Sequence, residues 1–144
     1  MADCDDAVSW RTVLRHIAQR LDADGVAYTV VGGASLALHG IPVPVNDLDI
    51  ETDAESAYLF EELFLENVAM PVSLRESETY RSVFGRFDFD GVRVEIMGDL
   101  QRREGAHWVP TAARTEMAVD LDGTSVRISW LEEETLAYIR RGRM

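Results

Sequence analysis

The sequence contains no lysine, a single cysteine and no long run of apolar residues. All 14 basic residues are arginine, which excludes chemistry that needs a lysine amine. Cys4 has no second cysteine with which to form a disulfide or a metal site, and we interpret it as incidental. No apolar segment approaches the roughly 18–20 residues that cross a bilayer, and no signal-peptide pattern opens the chain. We therefore expect a cytoplasmic protein that does not span a membrane.

Positive charge is scarce as well. The chain has 26 acidic residues against 14 basic ones, and its formal net charge is -12. Proteins that bind duplex nucleic acid mostly neutralise its phosphates with a basic face, so we expect no duplex partner. Phosphate that arrives with a metal cation remains compatible with this composition, because the cation reverses the local charge.

A chain of 144 residues with 47% hydrophobic content suits one domain over residues 1–144. Apolar spacing, β-branched runs and turn residues predict an α/β or α+β fold, with a mixed sheet and helices packed mainly on one side. The predicted helices cover residues 6–21, 34–38, 54–68 and 131–140. The predicted strands cover residues 28–31, 47–51, 82–89, 92–97, 115–119 and 125–129.

Two acidic residues stand two positions apart in the second predicted strand. Residues at this spacing project to the same face of a strand, so Asp47 and Asp49 point together while Leu48 and Ile50 point into the core. Two adjacent carboxylates repel each other unless a cation lies between them, and Mg²⁺ prefers such oxygen ligands. The alternative is an ordinary half-buried strand whose acids face solvent.

A glycine pair separates the first predicted strand from a short helix. Without side chains, Gly32 and Gly33 would let backbone N–H groups approach an anion, and Ser35 could add a hydroxyl donor. The alternative is a plain turn with positive φ.

Taken together, these two segments resemble the signature of the DNA polymerase β-like nucleotidyltransferase superfamily. The signature is a glycine pair after a strand, an acid–apolar–acid–apolar strand after a short gap, and a third acid on a later strand. Here the third acid is Glu95, and Asp99 is a fallback with an exposed turn residue as its alternative reading. The resemblance covers about half of the chain. Its segments are Val31-Gly32-Gly33-Ala34-Ser35 and Asn46-Asp47-Leu48-Asp49-Ile50.

The resemblance implies a two-metal Mg²⁺ site and a nucleoside triphosphate substrate, with ATP favoured. Asp47 and Asp49 would hold the metals on the triphosphate, and Glu95 would help to hold the catalytic metal and favour loss of the acceptor's proton. The Gly32 to Ser35 segment would position the phosphates. With no lysine available, the nearest cations for phosphate are Arg81, Arg86 and Arg93, and the alternative for each is a solvated strand residue.

The sequence leaves two main functional hypotheses. One is an enzyme that moves an NMP group to a hydroxyl of a small molecule or a partner protein, similar to the minimal antitoxin-type nucleotidyltransferases and, in its motif, to antibiotic-modifying ones. The other is a catalytically weak or inactive binding module that keeps the fold and acts through a protein partner. A third reading, an acidic structural protein, requires the whole motif series to be coincidence.

Overall fold

A mixed eight-stranded sheet forms the centre of the structure, a computed structural model that describes residues 9–111 and 115–140. The strands follow the order β3-β4-β5-β2-β1-β8-β7, and β6 pairs with the far part of β5. Their bounds are β1 Thr29–Val31, β2 Asp47–Thr52, β3 Val68–Glu76, β4 Tyr80–Phe89, β5 Val92–Glu104, β6 His107–Pro110, β7 Glu116–Leu121 and β8 Thr124–Ser129.

Two strand pairs are parallel, β1 with β8 and β2 with β5, and the remaining pairs are antiparallel. Because β1 and β2 run in opposite directions, the end of β1 lies beside the start of β2. The end of β8 and the start of β5 lie at this same edge. We call it the site edge, and Val31, Asp47, Arg93 and Ser129 mark it. The mixed sheet predicted from the sequence is confirmed.

Four α-helices accompany the sheet within the described residues: α1 Trp10–Ala23, α2 Gly32–Leu38, α3 Ala54–Leu63 and α4 Leu131–Arg140. A 3₁₀ turn over Leu65–Asn67 follows α3. The Asp53 side chain accepts the Ser56 N–H at 2.7 Å and caps the start of α3. Within residues 9–111 and 115–140, no helix combines the length and the apolar character needed to cross a membrane.

The core lies on one face of the sheet, under α1 and α3. Residues on the apolar stripe of α1 are buried against alternate residues of the central strands. Phe60, Phe64, Phe87 and Phe89 extend this core with ring centroids 4.7–5.2 Å apart. Because strand residues alternate, the charged side chains of the central strands β2 and β5 lie on the opposite face, which we call the polar face.

The structure contains two strands that the sequence did not predict. Residues from Val68 onward form β3, whereas the helix predicted over 54–68 ends at Leu63. Pro71 is tolerated there because β3 is an edge strand. The Val72 N–H donates to Glu61 of α3 at 2.8 Å, which holds this edge strand to the helix. The second unpredicted strand is β6, which pairs with an extension of β5 to Glu104.

The helix predicted over 6–21 starts at Trp10 among the described residues and continues to Ala23. Residues 6–8 of that prediction, and Cys4, lie outside the described residues. Asp-Gly pairs between two predicted strands are typical of hairpin turns, so the sequence predicts turns at Asp90-Gly91 and Asp122-Gly123. The structure confirms both, with positive φ at all four residues.

Tyr28 joins the first strand to β8. Its side chain is buried, and its hydroxyl accepts the Arg127 N–H at 3.2 Å. Burial raises the pKa of Tyr28 to about 12, because a phenolate would lose its hydration there. The neutral tyrosine is therefore the form that stabilises the fold.

We expect Tyr28→Phe to lower the free energy of unfolding by about 0.5–1.5 kcal/mol at neutral pH, because the Arg127 N–H loses its acceptor. An unfolded tyrosine ionises near pH 10 and the folded one near pH 12, so the wild type loses stability as pH rises through this window. The gap between the two proteins should therefore narrow between pH 10 and 12 in urea denaturation. The exposed Tyr58, changed to Phe, serves as the control, and an equal loss there would contradict the assignment.

Candidate active site

Asp47 and Asp49 project from β2 on the polar face of the sheet. Leu48 and Ile50 between and beyond them are fully buried, whereas both aspartates are half-buried. The alternation expected from the sequence is present. Both carboxylates therefore belong to the face opposite α1 and α3, near the site edge.

The parallel pairing of β2 with β5 brings a third acid to this face. Asp49 is paired in register with Glu95, and Asp47 is paired with Arg93. Neighbouring strands lie about 4.8 Å apart, so Glu95 is an immediate neighbour of Asp49. Asp99, the fallback, has φ 50°, is exposed, and lies beyond Thr52 and Gly98, the last residue pair of β2 and β5.

An arginine holds the Glu95 carboxylate. Arg86 lies opposite Glu95 on β4, and its Nε and one terminal nitrogen both lie 3.1 Å from Glu95 Oε2. The pair balances one negative charge of the face. Within residues 9–111 and 115–140, no group of three or more His, Cys, Asp or Glu side chains is arranged to hold a metal ion.

The two other candidate arginines differ from Arg86. Arg93 is exposed on the polar face, beside Asp47. Arg81 donates to Gln101 at 2.7 Å and lies over the Trp108 ring, 5.1 Å from its centroid. Arg81 is thus engaged away from the start of β2, and Arg86 and Arg93 are the cations near the carboxylates.

Gly32 is the first residue of α2 and directly follows β1. Two features of its surroundings require a glycine at this position. Its φ is +71°, a value that side chains rarely tolerate. A Cβ built on it would lie only 2.8 Å from Asp49 Oδ2. The Asp49 carboxylate therefore rests directly against the Gly32 backbone. At Gly33 the nearest atom to such a Cβ is the Pro44 carbonyl oxygen, at 3.3 Å.

A buried carboxylate from α4 reaches the same glycine. The Gly32 N–H donates to Glu134 Oε1 at 2.8 Å, and the Ser129 hydroxyl donates to Glu134 Oε2 at 2.6 Å. Glu134 is 0% exposed. The sequence predicts that the three acids of residues 132–134 offset the positive end of the α4 dipole, and all three lie in the first turn of that helix. The Glu134 side chain, in addition, turns inward. The sequence contains one indication of this orientation. Glu134 follows Leu131 by three residues, so the two side chains lie on the same side of α4.

Ser35 and His39 complete this arrangement around Ser129. The Ser35 hydroxyl is buried, 3.3 Å from the Ser129 carbonyl oxygen and 3.1 Å from its hydroxyl. His39 Nε2 lies 2.7 Å from the same carbonyl oxygen. A phosphate-binding role for Ser35 stays a prediction. We call the five residues Gly32, Ser35, His39, Ser129 and Glu134 the Glu134 cluster.

An open cavity of about 320 Å³ lies at the site edge, next to the Glu134 cluster. Trp130 is 45% exposed, although a tryptophan more often packs in a core. The cavity offers an apolar surface with one carboxylate and one imidazole. Its lining residues are His39, Met117, Trp130, Leu131 and Glu132.

Comparison with known proteins gives a family match over nearly the whole chain. The model of the aminoglycoside-2″-adenylyltransferase family matches residues 13–143. A candidate nucleotidyltransferase from Thermotoga maritima is 38% identical, with a TM-score of 0.86 over 92% of this chain and 84% of that one. The search of curated proteins found no significant match.

Two more distant structures share the fold. ANT(2″)-Ia in complex with adenylyl-2″-tobramycin is 12% identical, with a TM-score of 0.59 over 94% of this chain and 77% of that one. The lincosamide antibiotic adenylyltransferase LnuA with lincomycin bound is 13% identical, with a TM-score of 0.59 over 90% of this chain and 85% of that one.

We expect Gly32→Ala to lower the free energy of unfolding by about 1–3 kcal/mol, through the left-handed backbone and through contact with Asp49. Removing the Asp49 carboxylate relieves the contact with the new Cβ but leaves the strain of the left-handed backbone. The cost of Gly32→Ala should therefore be smaller in an Asp49→Ala background, with a coupling of about 0.5 kcal/mol or more. Urea denaturation of the four proteins measures it.

Gly25→Ala is the matched control for this cycle. Gly25 has a similar φ of +66°, and a Cβ there would meet nothing within 4 Å. Its cost should be independent of Asp49. A Gly32 cost that is equally independent of Asp49 would contradict the close approach.

Proposed function

The chain belongs to the aminoglycoside-2″-adenylyltransferase family of the nucleotidyltransferase superfamily, and on that basis we propose that it transfers an NMP group from a nucleoside triphosphate to a hydroxyl group. The predicted superfamily is confirmed. Mg²⁺ dependence, the nucleotide and the acceptor are parts of the proposal. We further propose that residues 1–144 act as one domain and that the protein acts in the cytoplasm.

One observation carries the proposal: three carboxylates share the polar face beside the Gly32 turn. Asp47 and Asp49 lie two residues apart on β2, and Glu95 is in register with Asp49 on β5. Such a concentration of negative charge on two adjacent strands favours a cation as a partner. A plain solvent-facing strand accounts for Asp47 and Asp49 but gives no reason for Asp49 to lie against Gly32.

The carboxylate oxygens of Asp47 and Asp49 are ligands of the kind that Mg²⁺ prefers. Asp47 and Asp49 would hold the ion, and waters and phosphate oxygens would complete its coordination. Bound Mg²⁺ would supply charge neutralisation on the triphosphate. The chain's own contribution is to hold the two carboxylates on one rigid strand, with Asp49 fixed against the Gly32 backbone.

The Arg86–Glu95 pair bears on the role of the third acid. Both arginine nitrogens contact Oε2, and the Glu95 side chain is 20% exposed. We propose that Arg86 orients Glu95, so that Oε1 accepts the proton of the acceptor hydroxyl. The hydroxyl oxygen then forms its bond to the α-phosphorus of the triphosphate, and pyrophosphate leaves. Arg93, exposed beside Asp47, would meet the charge of the phosphates.

For the substrates, we propose ATP and a small-molecule acceptor. The related fold of ANT(2″)-Ia carries adenylyl-2″-tobramycin, and that of LnuA carries lincomycin, which motivates an adenylyl group and a small hydroxylated acceptor. A hydroxyl on a partner protein is the second acceptor class we propose to test.

The alternative function is a binding module without turnover, acting through a protein partner. The observation that favours it is the same Arg86–Glu95 pair, which gives Glu95 a structural role without any metal. Incubation with Mg²⁺, labelled triphosphates and a cell lysate separates the two functions. Label that reaches a small molecule or a protein supports the enzyme, and nucleotide binding without any labelled product supports the module.

We expect Asp47→Asn combined with Asp49→Asn to abolish Mg²⁺-dependent ATP binding while the fold persists, because the charges that would hold the cation are gone. Calorimetry measures the affinity and thermal unfolding the fold. Glu51→Gln removes a charge from the same face of β2, farther from the site edge, and should change affinity by less than about threefold. Unchanged affinity in the double variant would refute the metal assignment.

We expect Glu95→Gln to lower turnover by about 10²-fold or more while nucleotide affinity stays within a few-fold, because the carboxylate acts mainly in the transition state. Asp99→Asn is the matched control, since asparagine tolerates the positive φ found there. Its turnover should match the wild type. If Asp99→Asn is the damaging change instead, the third acid has been misassigned.

A further inference from the structure

The first N–H of α2 is satisfied by a residue far away in the chain. Initial N–H groups of a helix have no partner inside it, and a side chain at the preceding residue usually caps them. Here that residue is Val31, which makes no side-chain cap. Glu134 supplies the acceptor instead, from 102 residues along the chain.

The environment of Glu134 makes this a fixed contact. Its carboxylate is fully buried and receives the Gly32 N–H on one oxygen and the Ser129 hydroxyl on the other. A buried carboxylate is stable only while such donors remain in place, so the contact resists displacement. Ser35 bonds to Ser129 in turn, which ties α2 to the end of β8.

The residue that Glu134 holds is the one on which Asp49 rests. The Gly32 N–H points to Glu134, while its Cα faces the Asp49 carboxylate so closely that a Cβ would lie 2.8 Å from Oδ2. A shift of the Gly32 backbone would therefore move the atoms against which the Asp49 carboxylate packs. This links a buried acid of α4 to an acid of the polar face.

We propose that Glu134 is a positioning residue of the nucleotidyl-transfer site, which holds the Gly32 backbone and through it the place of Asp49. The proposal rests on the proposed function of Asp49. It predicts that hydrogen-bonding geometry at residue 134 matters and that its charge does not. Competition between the Glu134 carboxylate and a phosphate for the Gly32 N–H is the opposing hypothesis, and it predicts the opposite effect on affinity.

Two variants separate geometry from charge. Glu134→Gln keeps an oxygen for the Gly32 N–H and a polar partner for Ser129, whereas Glu134→Ala removes both. Glu132→Ala is the control, since it deletes an exposed acid from the same helix. Ser129→Ala, which removes one donor and leaves Glu134 in place, tests the contact if Glu134→Ala does not fold.

The first measurement needs no nucleotide. In amide hydrogen exchange followed by NMR, Gly32 should exchange about tenfold faster or more in Glu134→Ala, relative to the buried Val30 amide as the internal reference. Glu134→Gln and Glu132→Ala should stay within about threefold of the wild type. In Ser129→Ala the Gly32 amide should exchange faster than in the wild type and slower than in Glu134→Ala. Unchanged Gly32 exchange in Glu134→Ala would overturn the contact itself.

The second measurement is the affinity for Mg²⁺-ATP by calorimetry. Glu134→Ala should weaken it about tenfold or more, and Glu134→Gln should restore it to within about threefold. Tighter Mg²⁺-ATP binding in Glu134→Gln or Glu134→Ala would establish competition and overturn the positioning role. An equal loss of affinity in both variants would also overturn the positioning role. Failure of the unaltered chain to bind Mg²⁺-ATP overturns the proposed function. An affinity for Mg²⁺-ATP that is the same in Glu134→Ala and in the wild type overturns only the positioning role.

Discussion

The in-register parallel pairing of β2 with β5 determines which side chains meet on the polar face of the sheet. A shift of one residue would place Glu95 on the core side, because strand side chains alternate between faces. With the observed register, Asp49 lies beside Glu95 and Asp47 beside Arg93. The buried partners, Leu48 with Val94 and Ile50 with Ile96, hold this register through the core.

Electrostatics on this face are organised by rows across the strands. Asp49, Glu95 and Arg86 form one row over β2, β5 and β4, and the next row over the same strands is formed by Asp47, Arg93 and Asp88. Each row therefore contains an arginine despite a net charge of -12 for the chain. Local pairing allows an acidic protein to fold with its carboxylates close together, and a bound cation would add to that balance.

Local patterns predicted the parts of the fold that local sequence controls. Alternation placed Asp47 and Asp49 on one face, and Asp-Gly pairs marked two hairpins. The strand β3 was missed because Pro71 is read as a breaker, whereas the edge position that permits it is a property of the whole sheet. The contact of Glu134 with Gly32 was missed for a similar reason. Nothing in the local sequence distinguishes it from the two glutamates before it, and its partner N–H lies 102 residues away in the chain.

The long-range contact between Gly32 and Glu134 also orders events during synthesis. β1 lies between β2 and β8, and its partner β8 is translated about a hundred residues later. At about 5–20 residues per second, the nascent chain would carry its glycine turn for several seconds before the residue that fixes it leaves the ribosome. The turn therefore acquires its final geometry only as the sheet closes.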